Sequence, residues 1–168
     1  MIIAFELTQR IHCSPAVVFS FLSDVTNMPK WNYYIQRVSK VSEGAIQVGT
    51  IFELKRPHDL FYFIVVEFVP PNKITMQLQP PGPHMLYGFD LTACEGHTDV
   101  KYSWHLDLKR YSVLKYVPDG GFKNWLLSIV EKQILSKTKP AVEQNFFKLK
   151  ALLETGEAVL QDGRRMTV

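Results

Sequence analysis

The sequence predicts an α+β fold in which a curved, seven-stranded antiparallel β-sheet wraps around a long C-terminal α-helix. Three observations predict it: a capped helix start at Ser14 after the first strand, alternation of apolar and polar residues from about residue 35 to 109, and a change to helical periodicity at Asp119. A single sheet with one apolar face needs a cover, and the long helix is the element that can supply it.

The first strand, at about residues 2–12, leads into a short helical region. Ser14 can accept hydrogen bonds from the free amides of a first helical turn, and Pro15 stands where its missing N–H costs nothing. Asp24 can cap a second helical turn, which Pro29 ends or reorients. We therefore place two short helices between the first and second strands.

Six strands follow, each with one apolar and one polar face, as in an antiparallel meander. They are predicted at residues 35–41, 50–56, 60–69, 74–78, 87–94 and 100–109. Proline-rich segments at 70–72 and 80–83, and the pair Glu95-Gly96, supply turns between them.

Beyond Asp119 the apolar residues recur at helical spacing, which predicts one long amphipathic helix. Pro140 lacks an N–H and clashes with the preceding turn, so we expect a kink or a short break just before it. Gly156 ends the helix. Residues 1–155 are therefore expected to form a single domain, and residues 156–168 a flexible tail.

The composition is that of a soluble globular protein, with 168 residues of which 46% are hydrophobic and 21% charged. A net charge of +3 is too small to indicate nucleic-acid binding. Cys13 and Cys94 form neither a metal-ligand spacing nor a disulfide framework, and they suit a reducing compartment. The N-terminus has no basic region and no apolar run reaches roughly 18 residues, so we expect no secretory signal, no membrane span and a cytoplasmic location.

Several local motifs together resemble a known superfamily. They are Ser14-Pro15, Val18-Phe19, Leu22, Asp24, Trp31, Val48-Gly49, the segment 67–74 and the segment 147–154. These motifs and the element order resemble the START-like superfamily with the helix-grip fold, also called SRPBCC, and within it the polyketide cyclase/dehydrase and lipid-transport branch. The resemblance spans about residues 2–155 and implies a hydrophobic cavity between the sheet and the long helix.

Large aromatic side chains support such a ligand cavity, and a solid aromatic core is the alternative. The residues expected to line the cavity are Trp31, Phe52, Tyr62, Met76, Tyr87, Phe89, Tyr102, Trp104, Phe122, Trp125, Leu126 and Ile129. In relatives that act as plant hormone receptors the corresponding loops close over the ligand, so the resemblance implies a place at the cavity mouth for His58 and His84. Solvated loop histidines are the alternative, and the more common case. Tyr111 and Tyr116 belong to an apolar, aromatic and basic loop that is expected either to form a portal touching a membrane surface or to pack on the core.

The sequence offers no Ser-His-Asp or Cys-His grouping and no nucleophile elbow. The first hypothesis is therefore a non-enzymatic carrier or sensor of a lipid, isoprenoid or polyketide-like molecule, acting as a monomer or homodimer without a cofactor, metal or nucleic acid. The second is a polyketide cyclase or dehydratase in which Tyr62, His84 or Tyr102 donates a proton.

A third hypothesis is a dimerising interaction module. Phe61, Phe63 and Val65 alternate with the residues assigned to the inner face of their strand. We therefore expect these three side chains to form an apolar patch on the outer face of the sheet.

Overall fold

The structure, a computed structural model, describes residues 2–108 and 120–168, except for the side chains of residues 122–124. The strands of its main sheet are β1 Ile2–Ile11, β2 Arg37–Lys40, β3 Ile51–Lys55, β4 Leu60–Val69, β5 Lys73–Leu78, β6 His84–Cys94 and β7 His97–Asp107. The helices are α1 Pro15–Ser23, the 3₁₀ helix Val25–Lys30 and α2 Gly121–Thr155. The predicted α+β class, with two short helices between the first two strands, is confirmed.

The strand order of the main sheet is β1-β7-β6-β5-β4-β3-β2, and every pairing is antiparallel. From β2 to β7 each strand pairs with the next along the chain, because short connections bring sequential strands together. β1 instead pairs with β7 over its whole length. The first and last strands are therefore neighbours, and β1 and β2 form the two edges of the sheet.

The helical segment after β1 forms through the caps that the sequence predicts. The Ser14 hydroxyl accepts a hydrogen bond from the Val17 N–H, and the Asp24 carboxylate accepts one from the Thr26 N–H. Trp31, directly after the 3₁₀ helix, is 5% exposed. Its ring contacts Phe89 of β6 edge-on, with centroids 6.3 Å apart, and it also meets an aromatic ring of α2. The segment thus joins the sheet to α2.

Helix α2 is continuous through Pro140, so the short break predicted as one outcome does not occur, and the kink stays a prediction. Pro140 and Ser136 are both exposed. The Ser136 carbonyl, which loses its helical partner to the proline, therefore lies where water can bond to it. Ile134 and Val142 border one cavity on either side of the proline, so the apolar stripe continues past it. Asp119, where the helical periodicity begins, lies outside the described residues.

The inner and outer faces of strand β4 are the reverse of those predicted from the sequence. Phe63 and Val65 are buried and Phe61 borders an internal cavity, whereas Tyr62 is 39% exposed on the outer face. The outer patch of the third hypothesis is therefore wrong as assigned. Leu60–Val69 is apolar at nearly every position, so alternation defines two faces without saying which one is buried. Pairing with the buried residues of β3 decides the choice.

The chain after Gly156 forms a small hairpin where the sequence predicts a flexible tail. Its strands are β8 Glu157–Val159 and β9 Arg165–Thr167. Gly156 has a φ of +81°, in the left-handed region that glycine favours, and this ends α2. Ala158 and Leu160 are 4% and 3% exposed. Two buried side chains in such short strands give too weak a periodic signal to be recognised from sequence.

Candidate functional site

A cavity of about 710 Å³ lies between the main sheet and α2. The sheet contributes Leu54, Phe61, Phe63, Leu78, Met85, Tyr87, Phe89, Tyr102, Trp104 and Leu106 to its wall. The segment 28–35 contributes Met28, Trp31, Asn32 and Ile35, and α2 contributes Leu126, Val130, Ile134, Val142, Asn145 and Phe146. Arg56, Pro83 and Leu108, at or just beyond strand ends, complete the described lining. The wall is predominantly apolar.

Aromatic rings make one side of the cavity rigid. The ring of Tyr102 on β7 lies 5.4 Å from that of Phe89 on β6 and 5.4 Å from that of Phe146 on α2, measured between centroids. Tyr87 also contacts the Tyr102 ring, at 6.2 Å. Tilted and edge-on contacts of this kind fix the rings in place. The shape of this wall is therefore set before any ligand arrives.

Two tyrosine hydroxyls of this wall differ in their partners. The Tyr87 hydroxyl donates to the Met76 sulfur at 3.1 Å, whereas the Tyr102 hydroxyl has no hydrogen-bond partner among the described residues. Burial raises the pKa of both, and for Tyr102 the neighbouring Tyr87 raises it further. Tyr102 is therefore a neutral hydrogen-bond donor at the cavity wall.

The amide and guanidinium groups of the lining are already paired. Asn145 of α2 donates from its amide to Asn32 Oδ1 at 3.0 Å, and its own oxygen accepts from the Tyr33 N–H at 3.4 Å. Arg56 forms an ion pair with Asp59. The asparagine pair joins α2 to the segment after the 3₁₀ helix, and Arg56 places a positive charge at the cavity edge.

The guanidinium group of Arg56 also lies over the Phe61 ring, 4.6 Å from its centroid. Stacking and ion pairing together hold a side chain that would otherwise be free to rotate.

The structure places about half of the residues predicted for the cavity on its wall. Those that border it are Trp31, Tyr87, Phe89, Tyr102, Trp104 and Leu126. Phe52 and Met76 are buried in the core behind the wall, and Ile129 is half-buried outside the lining. Tyr62 and Trp125 are 39% and 57% exposed. The side chain of Phe122 lies outside the described residues.

The predicted mouth residues stand beside the cavity and not on its wall. His58 is exposed between β3 and β4, and His84 begins β6 opposite Asp107. Neither is among the described lining residues, although their neighbours Arg56 and Pro83 are. Both loops therefore reach the cavity through side chains that the sequence did not single out. Tyr111 and Tyr116 lie outside the described part of the chain.

Of the three candidate proton donors, Tyr102 alone borders the cavity within the described residues. The Tyr62 hydroxyl points outward and donates to Glu53 Oε2 at 2.9 Å. That hydrogen bond, together with the Glu53 charge, raises the pKa of Tyr62. The Tyr62 hydroxyl therefore points away from the cavity, and His84 is not among the described lining residues.

With this geometry in view, comparison with known proteins identifies the family. The sequence matches the family described as polyketide cyclase / dehydrase and lipid transport over residues 3–154. The chain belongs to this family. No curated protein matches the sequence.

Solved structures share the fold at low sequence identity. A Staphylococcus aureus protein of unknown function has a TM-score of 0.71 at 12% identity, with 92% of this chain and 95% of that chain covered. The Aha1 dimer of Colwellia psychrerythraea has a TM-score of 0.61 at 20% identity, covering 91% and 97%. The di-domain ARO/CYC StfQ of the steffimycin biosynthetic pathway has a TM-score of 0.69 at 12% identity. Here 92% of this chain aligns with 52% of the neighbour, about half of its length.

These likenesses extend to the fold alone, so the oligomeric state of this chain, monomer or homodimer, stays a prediction. Within residues 2–108 and 120–168, no helix has the length and hydropathy that crossing a bilayer requires.

Proposed function

We propose that this protein binds a hydrophobic small molecule, of lipid, isoprenoid or polyketide type, between the sheet and α2. The observation that carries the proposal is a cavity of about 710 Å³ with a predominantly apolar wall. Small-molecule sites have volumes of roughly 300–1,000 Å³ and combine apolar walls with a few polar groups. The cavity fits that description in both respects.

Binding energy would come from removing apolar surface from water, at about 25 cal/mol per Å². Orientation would come from two polar groups: the hydroxyl of Tyr102, for which the described residues offer no hydrogen-bond partner, and the charge of Arg56 at the edge. The best ligand is therefore an elongated apolar molecule with a carbonyl or hydroxyl oxygen near Tyr102. A polar or anionic end would lie at Arg56.

The test is native mass spectrometry of delipidated protein incubated with fatty acids of increasing length, an isoprenoid alcohol and a cellular lipid extract. We expect one ligand per chain. In Val130→Trp the new side chain fills the cavity, and affinity should fall by about tenfold or more, since overpacking costs roughly 1–3 kcal/mol. Ile129→Trp is the matched control, because Ile129 is half-buried outside the lining.

Equal ligand binding by the two tryptophan variants would contradict binding at this cavity. The absence of any co-purifying or added ligand from the wild-type protein would contradict the proposal as a whole.

A second candidate is a cyclase acting on a polyketide-like chain, favoured by the neutral donor at Tyr102. The cavity would hold a flexible chain in a folded conformation. A hydrogen bond from the Tyr102 hydroxyl to a ketone oxygen would stabilise the negative charge that develops there as a carbon–carbon bond closes. Tyr102→Phe should then lower kcat on a poly-β-ketone substrate while ligand binding persists. Tyr62→Phe, on the outer face, is the control, and unchanged turnover in Tyr102→Phe would exclude this role.

A further inference from the structure

A cluster of metal-binding side chains lies at the end of β6 and β7 that is remote from the cavity lining. Cys94 ends β6, and His97 and Asp99 follow in β7. The Cys94 sulfur, a His97 ring nitrogen and an Asp99 carboxylate oxygen all lie within 4.8 Å of one another. The cluster is therefore separate from the site of the proposed function.

Hairpin geometry brings these three residues onto one face. Cys94 and His97 are cross-strand partners, and Asp99 lies two residues beyond His97, on the same side of the strand. The turn between them contains Gly96, whose φ of +73° is in the left-handed region that glycine adopts without strain. The backbone of the hairpin therefore places these three side chains close together.

The hydrogen bonding of His97 leaves one ring nitrogen without a partner. Nδ1 lies 3.0 Å from the Glu95 carbonyl oxygen, which can only accept, so Nδ1 carries a hydrogen. In the neutral ring, Nε2 then has a lone pair. Among the described residues, Nε2 of His97 is a buried side-chain atom without a hydrogen-bond partner. A backbone carbonyl on the far nitrogen is also the usual support of a metal-binding histidine.

The unpartnered nitrogen faces a second acceptor. His97 Nε2 lies 3.5 Å from Asp99 Oδ1, and the other Asp99 oxygen lies 3.9 Å from the Cys94 sulfur. A lone pair and a carboxylate repel each other unless a cation lies between them. A proton would satisfy His97 and Asp99, but it gives no reason for a thiol in the same cluster.

We propose that Cys94, His97 and Asp99 bind a divalent transition-metal ion, and that Zn²⁺ fits them best. A thiolate, an imidazole and a carboxylate form the mixed sulfur, nitrogen and oxygen donor set that zinc accepts, whereas Mg²⁺ and Ca²⁺ require oxygen ligands. Three protein ligands leave a fourth tetrahedral position for water. Since Cys94 is exposed, solvent can reach that position.

Arg10 is positioned to compete with the metal ion for Asp99. Its Nε lies 3.3 Å from Asp99 Oδ1, so its charge competes for one ligand oxygen. The Arg10 side chain is 58% exposed and can turn into solvent. Removing the charge in Arg10→Gln should therefore tighten metal binding, a change that is opposite in sign to that of every ligand substitution.

The experiment begins with chelator-treated, reduced protein titrated with Co²⁺, whose thiolate charge-transfer absorption reports a bound Cys94. Zn²⁺ is then added in competition with a chromophoric chelator. We expect one ion per chain, and an affinity at least about tenfold weaker in Cys94→Ser, His97→Gln and Asp99→Asn, since even supporting residues of metal sites contribute 10–100-fold. His105→Gln is a control at a histidine away from the cluster. Cys13→Ser tests the other cysteine, whose carbonyl accepts from the Thr98 hydroxyl at 2.7 Å but whose sulfur lies 3.2 Å from the Leu153 carbonyl oxygen. Both should bind like wild type.

Thermal unfolding provides an independent measurement. Zn²⁺ should raise the unfolding midpoint of the wild-type protein and of both controls by mass action, and leave that of His97→Gln unchanged. The absence of a stoichiometric Co²⁺ absorption change would overturn the proposal. So would wild-type affinity in His97→Gln, or loss of binding in Cys13→Ser.

Discussion

Leu149 in the second half of α2 is completely buried, whereas Leu126 in the first half is only partly buried and borders the cavity. The cavity lining continues past Pro140 as far as Phe146, so the change from lining to packing falls between Phe146 and Leu149. The same helix therefore packs tightly against the sheet and its surroundings at one end and encloses space at the other. Because hydrophobic stabilisation follows the apolar area removed from water, the packed half contributes more to folding. The first half instead keeps apolar surface available for a ligand.

Polar contacts reinforce the difference. In the packed half, the Lys150 ammonium group donates to the Arg10 carbonyl at 2.7 Å and to Glu154 at 2.6 Å. The same Glu154 oxygen accepts from the His12 N–H at 2.7 Å. These bonds tie the end of α2 to the end of β1. An apolar cavity can coexist with a stable fold when one end of the helix is anchored in this way.

The largest expected effect comes from making one substitution in both halves. Leu149→Ala should lower the free energy of unfolding by about 2–5 kcal/mol, because it opens a cavity in a filled region. Leu126→Ala only widens an existing cavity and should cost about 1 kcal/mol or less. Urea denaturation of the two variants measures both values. Equal losses would mean that the two halves do not differ in packing.

The boundary between the halves should be sensitive to Asn145, which is 3% exposed and bonded to Asn32 and to the Tyr33 N–H. Asn145→Ala removes the partner of the Tyr33 N–H and one of the two hydrogen bonds to Asn32 Oδ1, and should cost about 1–3 kcal/mol. Ser136→Ala, at an exposed position of α2, is the control and should stay near wild type. A cost for Asn145→Ala no greater than that of the control would show that the asparagine pair does not join the halves.

The smallest effect concerns the pH dependence of the packed half. Partial burial alone would raise the pKa of Glu154, but hydrogen bonds from Lys150 and from the backbone and ring of His12 outweigh it and lower the pKa to about 2. A depressed carboxyl pKa stabilises the folded state above its ordinary value of 4.5. This contribution is lost as the pH falls from that value through about 2.

The measurement is the difference in unfolding free energy between wild type and Glu154→Gln, followed from neutral pH down to the acid limit of the fold. It should be largest near neutral pH and shrink as the pH falls below 4.5. Glu157→Gln, at an exposed position near the same helix end, is the control. A difference that does not vary with pH would assign the effect of Glu154 to packing.

Much of the fold could be predicted because its signals are local. Alternation identified the strands, and the caps at Ser14 and Asp24 located the short helices. The lining was predicted where a strand has one clearly polar face, as with Tyr102 and Trp104 on β7. The prediction of the lining was wrong on β4, because both faces of that strand are apolar. Only pairing with β3 shows that Phe61, and not Tyr62, points inward.

The cluster at Cys94, His97 and Asp99 was missed for a related reason. Cys13 and Cys94 show no metal-ligand spacing to each other in the sequence. The signal that was available is the tight turn at Glu95-Gly96, which makes Cys94 and His97 cross-strand partners. Metal-donor residues on either side of a hairpin turn are neighbours in space, just as donor residues one helical turn apart are.

The C-terminal hairpin decides how much of the chain must be kept when the domain is moved into another protein. The family match ends at residue 154, yet Ala158 and Leu160 beyond it are buried. A fusion that cuts the chain at Gly156 would expose the apolar surface that these side chains cover, and would invite aggregation. Val168 is 63% exposed, so a reporter attached after it would leave this surface covered.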